Sequence, residues 1–195
     1  MRKALLLAVY IVLLVATLPA RAQTELLYTP EKPDPKMARL YDERCMKTAY
    51  PDISPRAREE FCACTAAHMS QALTPAQQRT MALGKGAAID TKMMALKVTA
   101  PCLGSPVEDT ERHNCLASGN YVHYFKTRQA MEGFCGCVSG HIADYVDHYG
   151  PDLMAYVFKA FPGSEANPAA LTNAGDYRNE VANWRTKCLN AYAYK

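Results

Sequence analysis

The string Ala57-Arg58-Glu59-Glu60-Phe61-Cys62-Ala63-Cys64-Thr65-Ala66-Ala67-His68 returns later in the chain as Ala130-Met131-Glu132-Gly133-Phe134-Cys135-Gly136-Cys137-Val138-Ser139-Gly140-His141. At a constant offset the two share Ala57/Ala130, Glu59/Glu132, Phe61/Phe134, Cys62/Cys135, Cys64/Cys137 and His68/His141. Each string is flanked by one further cysteine on either side, Cys45 and Cys102 around the first, Cys115 and Cys188 around the second. Both units end in Cys-Leu, at Cys102-Leu103 and Cys188-Leu189. An internal repeat of this kind predicts two related modules, residues 37–104 and 108–195.

Apolar residues recur at spacings of three and four, and no long alternating β-branched run exists, so the modules read as all-α with about four helices each. In the first, residues 37–48 carry Cys45. Ser54 with Pro55 starts a helix over 55–73, and Thr74 with Pro75 starts another up to Leu83, ended by Gly84 and Gly86. Asp90 caps a fourth that reaches Ala100. In the second module the spacing predicts helices over 110–126, 127–148, 151–160 and 176–192, with residues 163–175 as a loop and 104–109 as a hinge between modules.

On a helix, residues two apart are separated by roughly 200°, so Cys62 and Cys64 point to different sides and do not pair with each other. Phe61, Cys64 and His68 form one stripe; Cys62, Ala66, Met69 and Leu73 form a second. The other copy repeats both, as Phe134, Cys137, His141, Tyr145 and as Cys135, Ser139, Ile142, Val146. Each Cys-x-Cys helix therefore offers one thiol to the helix before it and one to the helix after it. Two pairings per module satisfy this, and spacing alone favours neither.

The compartment follows from the first residues. Met1-Arg2-Lys3, an apolar stretch from Ala4 to Leu18 and Pro19-Ala20-Arg21-Ala22 have the three parts of a secretory signal peptide, residues 1–22, cleaved after Ala22. Residues 23–36, with Pro30, Pro33 and Pro35, read as an extended Pro-rich leader. The chain has 195 residues, 22 Lys plus Arg, 19 Asp plus Glu and a formal charge of +3. That surplus is Arg2, Lys3 and Arg21, so the mature chain is neutral. A neutral chain without a basic, aromatic-interleaved run lacks the footprint of a nucleic-acid binder. No second apolar segment is long enough to span a membrane after cleavage. The lack of an Asn-x-Ser/Thr sequon agrees with a bacterial source.

The mature part is poor in Leu, Ile, Val and Phe, and a lean core needs covalent help. All eight cysteines, Cys45, Cys62, Cys64, Cys102, Cys115, Cys135, Cys137 and Cys188, lie in it. Export and an even count predict four disulfides. Each is worth roughly 3 to 4 kcal/mol in the chain-entropy account.

Two other chemistries compete. Cys64 with His68, and Cys137 with His141, sit one turn apart and suit a soft metal such as copper or zinc, with Cys62 or Met69 assisting. Cys135-Gly136-Cys137 brings two thiols close, as a thiol-disulfide oxidoreductase requires, but no strand-helix-strand pattern surrounds it. His113, His123 and His148 have no repeated counterpart and read as surface side chains. No nucleophile elbow, Walker loop, dinucleotide glycine pattern or His-Glu-x-x-His is present, so no catalytic residue and no cofactor is assigned. The best candidates for a binding face are the tyrosines, Tyr145, Tyr149 and Tyr156 in the second module with Tyr192 and Tyr194 near the end; their competing role is core filling. The reading that results is a secreted or periplasmic, disulfide-rich helical protein that binds or supports a protein or cell-envelope component. No oligomeric state is specified.

Overall fold

The computed structural model describes residues 35–50, 52–83 and 91–193, all within one compact unit and, among those residues, mainly helical without strands. The expected signal peptide and all but the last two residues of the expected leader lie outside the described residues, as do Gly84, Gly86, Asp90 and Tyr194. Pro35 and Lys36 open α1 (Pro35–Thr48). Then come α2 (Pro55–Ala72), α3 (Pro75–Ala82) and the single turn α4 (Thr91–Met94), which runs through a π-helical segment (Ala95–Thr99) into a 3-10 turn (Ala100–Cys102). The remainder is α5 (Gly104–Ala117), a 3-10 stretch (Gly119–Tyr124), α6 (Arg128–Ala160), α7 (Pro168–Leu171) and α8 (Gly175–Tyr192).

The start signals act as the sequence reads. Ser54 accepts a hydrogen bond from the Ala57 amide with Pro55 in the first turn of α2. Thr74 and Gln77 form a reciprocal capping box on α3. Thr127 accepts from the Ala130 amide at the head of α6. Each cap satisfies an amide that the helix cannot, worth about 1 kcal/mol.

Four disulfides join Cys45–Cys62, Cys64–Cys102, Cys115–Cys135 and Cys137–Cys188, with no free cysteine among the described residues. In both copies the first thiol of Cys-x-Cys reaches back and the second reaches forward. The Cys62 stripe is the buried one: Cys62, Ala66, Met69 and Leu73 face the interior, as do Cys135, Ser139, Ile142 and Val146. Cys64, His68 and Cys137 are half-buried at the edge, and His141 is exposed.

α6 is the axis of the molecule, packed against α5 on one side and α8 on the other, while α2 packs on α1 and α5. The main core draws on both halves of the chain: Phe61, Leu103 and Val107 meet Phe134, Val138, Met154 and Val181. A smaller methionine-rich cluster of Met69, Leu73, Met94 and Val98 sits beside it, with Tyr41 and Met81 packed against it. Methionine fills such irregular space because its chain is unbranched.

Four expectations change. Residues 104–109 are not a hinge but the first turns of α5. Pro106 sits where its missing amide costs nothing, Val107 is fully buried, and the Ser54 amide donates to the Asp109 carboxylate at 2.8 Å. The helix expected over 110–126 stops at Ala117; Ser118 is extended and caps the Asn120 amide, turning Tyr121 and Phe125 onto Phe134 with ring centroids at 5.1 Å. The helices expected over 127–148 and 151–160 are one, α6, running through Pro151. Burial of Val146, Gly150, Leu153, Met154 and Val157 on both sides offsets the single hydrogen bond that Pro151 removes. Gly150 is required there, since a β-carbon would overlap the Ala100 carbonyl. Finally, the loop expected over 163–175 contains α7, capped by Asn167 through the Ala170 amide at 2.8 Å.

Candidate functional site

The cysteine-histidine motifs carry the strongest chemical signal in the sequence. In the first copy the ligand atoms of Cys64, His68 and Cys102 lie within 4.8 Å of one another, a donor set that suits zinc or copper(I). The two sulfurs, however, are bonded to each other at 2.00 Å. A disulfide sulfur is not a thiolate, so this trio can ligate a metal only after reduction. In the second copy His141 lies flat on Trp184, centroids 3.6 Å apart and planes at 11°, with the Lys187 ammonium 4.3 Å from the Trp184 centroid. Cys137 is bonded to Cys188. The structure therefore separates the roles of two histidines that the sequence treats alike. His113, His123 and His148 are exposed; His123 packs on Tyr124 and His148 edge-on against Tyr149.

A large concavity lies elsewhere. A cavity of about 790 Å³ opens between α1, the α4–π segment, the end of α6 and the loop that follows it, lined by Tyr41, Met81, Met94, Thr99, Phe158 and Glu165 among others. A neighbouring cavity of about 490 Å³ shares Tyr41, Met81, Thr99, Glu165 and Ala166 and extends the cleft to Arg44 and Tyr50.

Two phenols set its polarity. Tyr50 hands its hydroxyl hydrogen to the Ala166 carbonyl at 2.7 Å, tying the end of α1 to the loop before α7. Its ring packs on Phe61 at 5.0 Å. Its backbone has φ of 27°, the one positive value at a non-glycine residue among those described, a conformation that costs energy unless its surroundings hold it. Burial pushes the Tyr50 phenol well above its usual range, with Tyr41 and the negative charge of Glu165 adding to the shift. Burial also raises Tyr41, against a hydrogen bond with Thr65 that pulls the other way. Both are uncharged at neutral pH. The cleft wall thus combines methionine, phenylalanine and alanine surface with phenols, the Glu165 carboxylate and the Arg44 guanidinium.

The π-helical turn over Ala95–Thr99 belongs to this wall. The Ala100 amide bonds back five residues to the Ala95 carbonyl, which widens the turn. Val98 and Ala100 are thereby buried while Thr99 faces the cleft, and the chain still delivers Cys102 to Cys64. Such bulges recur at functional sites.

Sequence reasoning did not find this cleft. Tyr41 and Tyr50, Thr99 and Glu165 come from three separate segments, and only Tyr50, lodged before Pro51, carried a local signal. The described tyrosines among those named from sequence lie apart from it. Tyr145, Tyr149 and Tyr156 line a smaller pocket with the start of α8, and Tyr192 is half-buried against the main core.

No family model matches the chain, and neither a curated protein nor a solved structure matches it.

Proposed function

We propose that this chain is an exported, disulfide-stapled helical binding protein, resident in the periplasm or outside the cell, and that the cleft beside Tyr41 and Tyr50 holds an elongated, mainly apolar ligand with a polar end. The observation that carries the reading is the cleft's size and lining. It falls in the volume range of small-molecule sites, about 300 to 1,000 Å³, and has the mixture they share, apolar walls with a few placed polar groups. Four disulfides, with no described helix long and apolar enough to cross a membrane, fit an oxidising compartment. Cleavage after Ala22 and origin of the two Cys-x-Cys units by duplication complete the proposal.

The test is titration with the fluorescent apolar probe N-phenyl-1-naphthylamine. The expected result is one saturable site per chain, weakened at least tenfold by Ser164→Trp at the cleft rim, with the four disulfides and thermal midpoint of the variant unchanged. Absence of saturation, or equal binding by the variant, rejects the cleft as the site.

One observation favours a second reading, a soft-metal protein: the proximity of His68 to Cys64 and Cys102. On that reading the reduced chain takes up one zinc ion and His68→Ala loses it, while His141→Ala does not. Thiol-disulfide exchange has less support, because Cys62 and Cys135 are 0% exposed and Cys102 and Cys188 are buried, which leaves an attacking thiolate little access.

A further inference from the structure

A separate pocket has a different chemistry from the cleft. Its volume is about 220 Å³, and its lining includes Tyr145, Tyr149 and Tyr156 from α6 with Asp152, together with Asp176 from the first turn of α8. The three tyrosines share one face of α6 because they recur at helical spacing. Their alignment depends on α6 passing unbroken through Pro151; two separate helices, as the sequence suggests, need not have placed Tyr156 in line with the others. Leu153 and Ala174, both buried, form the floor, and Gly175 adds no side chain to the space.

The rings are available. Tyr149 is 44% exposed and Tyr156 is 54% exposed, unusual for aromatic side chains in a chain this lean in apolar residues. Tyr145 and Tyr149 lie tilted against each other with centroids 4.9 Å apart, and His148 meets the Tyr149 ring edge-on at 4.5 Å.

The charge is one-sided. Among the described residues, no lysine or arginine lines the pocket, whereas two carboxylates do. The Tyr145 phenol responds to this field: burial raises it first, and the negative charges of Asp176 and Glu180 raise it further, with Tyr149 contributing. One nitrogen of the Arg178 guanidinium lies 3.9 Å from where a Gly175 β-carbon would stand, and the other donates to the Thr172 carbonyl at 2.7 Å. The α8 N-terminus brings about half a positive charge, which two carboxylates outweigh.

We propose that this pocket binds an alkylammonium head group, its methyl groups against the Tyr149 and Tyr156 ring faces and its positive charge balanced by Asp152 and Asp176. Aromatic faces attract cations through their quadrupole, and carboxylates at the rim select cations over neutral apolar groups of the same size. The volume decides the ligand's scale: it falls short of the roughly 300 Å³ at which drug-sized sites begin, and it suits a compact head group. A free organic cation and a choline-type lipid head group share this chemistry.

The test uses the oxidised chain and tetramethylammonium chloride, with sodium chloride at equal ionic strength as reference, read from the tyrosine ring signals in NMR titrations. Saturable binding is expected. Tyr149→Ala and Tyr156→Ala should each weaken it between about two- and thirtyfold, the range of one cation–π contact, and the double variant should abolish it. Asp176→Asn should weaken it as well. These side chains are exposed, so the variants should keep four disulfides and an unchanged circular dichroism spectrum. Flotation with phosphatidylcholine vesicles assigns the source. Tyrosine-dependent flotation marks a lipid head group, and tetramethylammonium binding without flotation marks a free cation; both support the proposal. No saturable shift with tetramethylammonium, or equal binding by the Tyr149→Ala/Tyr156→Ala double variant, overturns it.

Discussion

Helices α2 and α6 carry the same Cys-x-Cys-x3-His string and place it in different company. In both, the first cysteine is buried and bonded backwards, to Cys45 and to Cys115, and the second is half-buried and bonded forwards, to Cys102 and to Cys188. The forward partner differs. For α2 it sits at the end of a π and 3-10 segment, and His68 is left beside the disulfide. For α6 it sits on the eighteen-residue helix α8, whose Trp184 covers the His141 ring. Helical angle fixes how the thiols divide; the element that arrives from downstream fixes what the histidine does.

The largest expected effect tests the shared half of this comparison. Replacing the Cys137 and Cys188 pair by serine, or the Cys64 and Cys102 pair, should each cost roughly 3 to 4 kcal/mol in urea unfolding. The loss should be slightly greater for the pair with sequence separation 51 than for the pair at 38. Unfolding free energies within about 1 kcal/mol of the parent would show that the staples are dispensable.

Alkali should act on one anchor in each half. Tyr50 packs on Phe61 in the first; Tyr177, buried and donating to Glu111 at 2.9 Å, holds α8 to α5 in the second. Burial raises both phenols, and Glu111 raises Tyr177 further. A raised folded value means the folded state holds the proton longer. The associated stability is fully present below the ordinary value of 10.0 and is lost as pH climbs from there through the folded values. Each such tyrosine should then cost about 1.4 kcal/mol per pH unit. Thermal midpoints between neutral pH and pH 11, with phenolate absorbance, check this; Tyr50→Phe and Tyr177→Phe should each remove part of the slope.

Two glycines of α6 sharpen the comparison within one helix. Gly150→Ala should destabilise by about 1 to 3 kcal/mol, because its β-carbon meets the Ala100 carbonyl of the 3-10 turn that ends at Cys102. Gly140 has open space, and Gly140→Ala should stabilise by up to about 1 kcal/mol. Equal effects would contradict the close approach of α6 to that turn. The smallest contrast concerns the histidines: His141→Ala should cost about 0.5 to 1.5 kcal/mol through the lost stack on Trp184, and His68→Ala in the oxidised protein less than about 0.5 kcal/mol.

Much of this architecture could be read from residues acting on their near neighbours. Ser54, Thr74 and Thr127 mark helix starts because a cap needs only the next three residues. The separation of Cys62 from Cys64 needs only the helical angle. Pairing choice was beyond local reach, since both options satisfy that angle and the decision rests on how α1 and the 3-10 turn pack. Pro151 misled for the same reason: the cost of a proline in a helix is local, whereas the burial of Val146, Leu153 and Val157 that offsets it is tertiary. Gly104 and Pro106 suggest a hinge until Val107 enters the core and the Gly104 amide finds the Asp147 carboxylate. The cleft was the least legible part, because its polar groups converge from α1, the π segment and the loop before α7. The tyrosines of α6 were legible as residues, and their pocket emerged only once α6 proved continuous.

The most direct test of the account is the disulfide map of the purified, unreduced protein. With only Ala63 between Cys62 and Cys64, and only Gly136 between Cys135 and Cys137, the linked peptides must be fragmented by electron transfer between the paired cysteines. The expected map is Cys45–Cys62, Cys64–Cys102, Cys115–Cys135 and Cys137–Cys188 with no free thiol. A Cys45–Cys64 or Cys115–Cys137 link, or a bond within either Cys-x-Cys, would contradict it.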